Sequence, residues 1–155
     1  MPAETGSPEA IAIAADHGGY ELKTVLSEYL RERGFNVLDV GTHSLDAVDY
    51  PDIAERLVET SRTGRVRRGV LMCGTGIGAS IAANRHPDIR AALCHDVTTA
   101  RLARQHNDAN VLVMGGRTTG LETARNCLDV FLVTEFEGGR HARRVGKLGA
   151  RTPAC

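Results

Sequence analysis

The chain has 155 residues, 42% hydrophobic and 25% charged, a balance suited to one soluble domain with its own core. Its 19 Lys and Arg are matched by 19 Asp and Glu, which excludes a broad basic field for nucleic acid or an acidic membrane. The four cysteines, Cys73, Cys94, Cys127 and Cys155, form no C-x-x-C pair and no metal-finger spacing; with no secretory leader and no long apolar span, a cytoplasmic protein with free thiols is expected.

The polar, Pro-containing start predicts a flexible tail over 1–9, a single domain over 10–149 and a second tail over 150–155. "AIAIAA" (Ala10 to Ala15) is a continuous apolar run, as for a strand buried on both faces. Leu22, Val25, Leu26, Tyr29 and Leu30 then fall at helical spacing, closed by Gly34. "NVLDV" gives a second strand, and "DIAERLVETS" a helix with Ile53, Ala54, Leu57 and Val58 on one side. "GVLMC" is a third strand, followed by a glycine loop and a short helix from about Ala79. "RAALC" and "NVLVMGG" supply the fourth and fifth strands, separated by the helix "VTTARLARQHN". "LETARNCLDVFLVT" is helical, and a last basic helix covers roughly Gly139 to Leu148. This alternation predicts a three-layer, doubly wound (Rossmann-like) α/β fold with five parallel strands.

In such sheets, sites form at the carboxyl ends of the strands, near a switch in strand order. The residues just past the strands therefore carry weight: Asp16-His17-Gly18-Gly19, Gly41-Thr42-His43, Cys73-Gly74-Thr75-Gly76, His95-Asp96 and Gly115-Gly116-Arg117. The stretch "GVLMCGTGIGAS" ends an apolar run in a cysteine followed by Gly74, Gly76 and Gly78. Glycines let the backbone approach a ligand closely, and loop N–H groups can converge on a negative oxygen or a thiolate. Cys73 thus stands where a base or nucleophile would. A small buried packing cysteine fits the loop equally well, and the loop alone does not decide.

Three better-known loops fail on spacing. A nucleotide P-loop needs Lys-Ser/Thr after its glycines, where this chain has Ala79-Ser80. A phosphatase-type C-x5-R loop needs arginine at position 79, which is alanine. A dinucleotide fingerprint belongs after the first strand, where Asp16 puts a carboxylate in the way of a pyrophosphate. Asp39 is read as a strand-end cap. Elsewhere, Asp16 and His17 could bond sugar hydroxyls and pass protons, or simply cap a helix. His106 and Asn107 end a helix, where an imidazole is favoured in any case. Arg140 and Arg144 lie four apart and share a helical face able to grip a phosphate, unless that helix is merely solvated. No H-x-x-x-H or similar spacing points to a metal.

Taken together, "AADHGGYELK", "VDYPD", "CGTGIGASIAANR", "RQHNDANVL" and "EGGRHARRV" resemble the type B ribose-5-phosphate isomerases of the ribose/galactose isomerase family, in the family's order, from about Ile11 to Leu148. The resemblance implies an aldose–ketose isomerase of the pentose phosphate pathway that needs no metal or cofactor. It implies a homodimer or dimer of dimers, with the C-terminal helix used in dimerisation and the site at the dimer interface. By resemblance, Cys73 is the base that moves a proton between C1 and C2, and Thr75 assists the proton between the two oxygens. The N–H groups of the Gly74, Gly76 and Gly78 loop hold the enediolate oxygen. Asp16 and His106 bind and open the furanose ring. His17, Arg140 and Arg144 hold the phosphate with His141 nearby, and Asn107 and Tyr50 help to hold the sugar. Some members use a glutamate two positions beyond the cysteine; Thr75 here implies the cysteine type. "CHDVTTA" departs from the family, many members carrying an aromatic after the fourth strand. The competing readings are a six-carbon isomerase acting on allose or galactose 6-phosphate, which His106 disfavours against galactose types, a cysteine phosphocarrier, and a non-catalytic sugar-phosphate sensor.

Overall fold

Residues 6–149 are described by the structure, a computed structural model. Strand β1 (Ala10–Ala15) leads through helix α1 (Tyr20–Glu32) to β2 (Asn36–Asp39), and α2 (Tyr50–Arg62) leads to β3 (Arg68–Cys73). Helix α3 (Ile77–Ala83), β4 (Ala91–Leu93), α4 (Val97–Asn107) and β5 (Val111–Gly115) follow, and α5 (Leu121–Val133) and α6 (Arg140–Gly149) end the described chain. The five strands are all parallel, in the order β2-β1-β3-β5-β4.

The two faces of the sheet follow from strand alternation. Ile11, Ile13 and Ala15 of β1, Val70 and Met72 of β3, and Leu112 and Met114 of β5 pack against Leu26 and Leu30 of α1, Ala100 of α4, and Leu128 and Phe131 of α5. The intervening residues, Ala12, Ala14, Leu71, Cys73, Val111 and Val113, face Ile53, Ala54, Leu57 and Val58 of α2 and Ala79 and Ala83 of α3. Both faces are covered, so the strands read as unbroken apolar runs. Helix α6 lies outside this sandwich, packed on α4. Among the described residues, no helix is long and apolar enough to cross a membrane.

Most element ends fall within one or two residues of the sequence expectation, and two of the differences have a plain physical cause. Helix α3 begins at Ile77, not near Ala79, because Gly76 takes a left-handed backbone (φ 79°) and starts the helix directly. Strand β4 covers only three residues, all half-exposed, as suits an edge strand bonded on one side only.

One side chain breaks the amphipathic pattern. Lys23 of α1 is fully buried, with its Nζ 2.7 and 2.8 Å from the two Asp39 carboxylate oxygens and 2.6 Å from the Thr42 carbonyl. Asp39 does close the strand end as expected, accepting the Gly41 N–H at 3.0 Å. It is also the counter-ion of a buried ammonium, which satisfies the rule that buried charges are paired. This clamp fixes the chain leaving β2 beside the end of β1, where Ala15 and Gly41–Thr42 exchange backbone bonds of 2.8 and 2.6 Å.

Candidate active site

From β1 the chain first moves to β2 on one side, then returns past β1 to β3 on the other. Helices α1 and α2 consequently cover opposite faces, and a crevice opens between the carboxyl ends of β1 and β3. Asp16 and His17 stand at one side of it, and Cys73 and its loop at the other.

The crevice floor is backbone against backbone. A Cβ on Gly18 would lie 2.8 Å from the Gly74 nitrogen, and one on Gly116 would lie 2.4 Å from the Gly18 carbonyl oxygen. Real side chains do not fit there, so the three loops after β1, β3 and β5 meet only because glycine occupies these positions. Asp16 is buried, and its Oδ1 accepts the N–H groups of Gly18 (2.9 Å) and Gly19 (3.3 Å), which closes the turn ahead of α1. His17 is half-buried; its Nδ1 accepts the Val48 N–H at 3.2 Å, so the neutral ring carries its proton on Nε2, free to donate.

Cys73 is 4% exposed, and its Sγ accepts the Gly76 N–H at 3.1 Å. Exposed Thr75 arches over the loop, its Oγ1 accepting the Ile77 N–H at 3.3 Å. The Tyr50 ring roofs Gly78, where an added Cβ would lie 2.5 Å from the ring carbon Cζ. Tyr50 also lines an open cleft of about 410 Å³ with Asp16, His17, Val48, Asp49, Pro51 and Asp52. Sequence reasoning left Arg117 unassigned. Its N–H donates to the Gly74 carbonyl at 2.8 Å, and its exposed guanidinium lies over Gly74, Nη1 being 3.3 Å from where a Cβ would sit. Its place among the residues just past the strands was the available signal. Cys94 and Cys127 are buried in the opposite core, and burial pushes the Cys94 thiol up to about 11, so it is inert at neutral pH.

The other expected residues gather elsewhere. Helix α4 starts at the carboxyl edge of the sheet, and its 11 residues carry the chain back to the amino edge. That is ~16 Å of helix. His106 and exposed Asn107 therefore sit at the edge opposite Cys73. Helix α6 is brought to them by the Glu137 N–H, which donates to the Gln105 carbonyl at 3.1 Å. The His106 and His141 rings stack with centroids 4.3 Å apart and planes 12° apart. Burial first, then His106 and Arg140, hold the His141 imidazole below its ordinary pKa, with Glu137 opposing. Arg140 and Arg144 are exposed and make no ion pair among the described residues. A single chain thus brings Asp16, His17, Tyr50, Cys73, Thr75 and the glycines together. His106, Asn107, Arg140, His141 and Arg144 form a second group.

The Cys73 thiol is thus seated under a loop amide at the switch point of a doubly wound sheet. The sequence model of the Ribose/Galactose Isomerase family matches residues 11–148, and the chain belongs to that family of isomerases. A putative sugar phosphate isomerase of Rickettsia bellii is 51% identical over 138 residues, covering 89% of this chain and 96% of that protein. Ribose-5-phosphate isomerase B of Escherichia coli is 46% identical over 140 residues, covering 90% and 94%. The structure of Clostridium thermocellum ribose-5-phosphate isomerase B superposes with a TM-score of 0.89 at 50% identity, over 90% of this chain and 95% of that one.

Proposed function

We propose that the chain interconverts ribose 5-phosphate and ribulose 5-phosphate through an enediolate, in the cytoplasm and without a metal or cofactor. The observation that carries this reading is the Cys73 sulfur held under the Gly76 N–H at the crevice between β1 and β3. Aldose–ketose isomerisation removes a proton next to a carbonyl, and the difficulty is the negative charge that builds on oxygen. Fixed N–H donors aimed at that oxygen act strongly in a dry site, each worth about 10²–10³ in rate. Cys73 takes the proton from C2 and returns it to C1. The amides of the Gly74–Gly78 loop hold the oxygen, and the Thr75 hydroxyl passes the proton between O1 and O2. Asp16 and His106 open the furanose ring, and Tyr50 and Asn107 hold the chain. His17 donates from Nε2 to the phosphate, which Arg140 and Arg144 grip with charge-assisted bonds.

The two groups of residues lie at opposite sheet edges in one chain, so the reading requires two copies. In a homodimer, α6 and the end of α4 of one protomer complete the crevice of its partner. The same arrangement explains why two arginines are left unpaired on an exposed helix.

The test is turnover of ribose 5-phosphate and of allose 6-phosphate, measured with chelator present. The expected outcome is chelator-resistant isomerisation with ribose 5-phosphate the faster substrate. Faster turnover of the hexose phosphate would replace the five-carbon assignment, and binding without turnover would leave a sensor.

A further inference from the structure

Helix α3 carries an apolar face that its own chain leaves open. Ile77 and Ile81 stand one turn apart on that face, each 54% exposed. Single exposed apolar residues are ordinary, but this pair is continuous with a larger apolar surface. Ile81 and Ala82 line a cleft of about 340 Å³ with Tyr50 and Pro51, and Asp52, Glu55 and Arg85 stand around it. An apolar centre with a charged rim is the make-up of a protein–protein contact. Strand-to-strand pairing is not what this side of the molecule offers. The Asn84 side chain takes the N–H of Ala91 at 2.8 Å and its C=O at 2.9 Å, so the short edge strand β4 is already covered.

The course of α3 identifies what covers this face. The helix begins at the Cys73 loop, where the Ile77 N–H donates to Thr75. Its seven residues span ~10 Å. Just past its end, Asn84 and Arg85 share a cleft of about 470 Å³ with Asn107 and Leu148. Helix α3 therefore runs along the surface from the first group of site residues to the second. A two-fold axis across its middle lays α3 antiparallel on its own copy and exchanges the ends. The second group of each chain is then carried to the first group of the other. We infer that a second copy of this chain covers the face, with α3 packed antiparallel on α3 and Ile77 and Ile81 set against the same pair of the partner. The charges agree with this. Asp52 lies in the first turn of α2, beside the start of α3, and Arg85 lies past the end of α3; neither makes an ion pair among the described residues. Antiparallel packing sets Arg85 against the partner's Asp52, and the symmetry makes that pair twice. A stable dimer buries ~800 Å² per partner, far more than two isoleucines supply. The remainder comes from α6 and the end of α4 seated in the partner's crevice.

The choice of a second copy rests on the two-chain reading of the site, and the experiment separates the two. Sedimentation of the full chain over a dilution series measures the dimer dissociation constant. Wild type should be a dimer at micromolar concentration. Each isoleucine occurs twice at a two-fold seam, so Ile81→Ala should raise the dissociation constant about 10–100-fold. Ile81→Glu also brings two carboxylates together and should be monomeric at the same concentration. Alanine is the better helix former, so the alanine variant stays folded and informative even if the glutamate variant does not. A monomeric wild type, or an Ile81→Ala dimer as tight as wild type, would overturn the seam. In the second case, activity that persists leaves the two-chain site standing with the copies joined elsewhere. In the activity arm, turnover of ribose 5-phosphate by Ile81→Glu should fall in proportion to the dimer lost. A monomeric Ile81→Glu that works at the wild-type rate upholds the seam and removes the two-chain site.

Discussion

The two edges of the sheet are built in opposite ways. At the carboxyl edge, Asp16, His17 and Cys73 are wholly or partly buried, and each is already bonded to a loop amide. At the amino edge, Asn107, Arg140 and Arg144 are exposed. The first region is organised before any ligand arrives, as the proposed role of holding developing charge requires. The second carries two exposed arginines on one helix, suited to gripping a charged group brought by another molecule. On the proposed reading, chemistry and grip fall in different physical settings, one rigid and one awaiting its counterpart.

The sharpest way to break this contrast is to remove the sulfur. Cys73→Ala should lower kcat by about 10²–10⁴, the usual contribution of a positioned base, while KM stays within a few-fold. Steady-state kinetics checks this, and undiminished kcat would return Cys73 to a packing role. Next in size is the clamp beneath the rigid region. Lys23→Met leaves Asp39 without its partner, and because Asp39 remains a quarter exposed, the cost should be about 2–3 kcal/mol. Denaturant unfolding reads this directly, and loosening of the Val48 contact to His17 should raise KM as well.

The gripping region should respond differently. Arg144→Ala should raise KM by roughly 10–100-fold with little change in kcat, since a lost charge-assisted bond is worth ~1.5–3 kcal/mol of mostly uniform binding. Mixing Cys73→Ala with Arg144→Ala at subsaturating substrate should restore activity to about a quarter of wild type. Half of randomly paired C2 dimers are mixed, and one of their two shared sites is intact. No recovery would mean that each chain builds its site alone. The smallest effect belongs outside both regions. Asp96 caps α4 by accepting the Thr99 N–H at 2.7 Å, and this bond holds its carboxyl below the usual carboxylate range. A lowered carboxyl pKa stabilises the fold above the ordinary pKa and ceases to do so as pH falls through the lowered one. Asp96→Ala should therefore lower Tm slightly at neutral pH, and the gap from wild type should close in strong acid.

Much of the architecture was legible because apolar runs and helical spacing report burial directly. The runs of β1, β3 and β5 are buried on both faces, and their continuity says so. Cys73 and Asp16 were legible for a related reason: residues just past parallel strands meet at a switch point whatever the details. Lys23 was not, since a lysine on an amphipathic helix reads as solvated, and only Asp39 and the Thr42 carbonyl, both distant in sequence, explain its burial. The His106–His141 stack was hidden for the same reason. It depends on how α6 rests on α4, and no local pattern encodes that docking. Spacing showed that Arg140 and Arg144 share a face, but not which edge of the sheet they occupy.

The crowded contacts at Gly18, Gly78 and Gly116 set limits on how this scaffold can be re-engineered. Any side chain added at those three points collides with main chain or with the Tyr50 ring. A designer wishing to admit longer or shorter sugars cannot carve the bottom of the crevice. The variable ground lies on its walls, at Tyr50, Thr75 and Arg117, and changes in preference among related proteins should accumulate there.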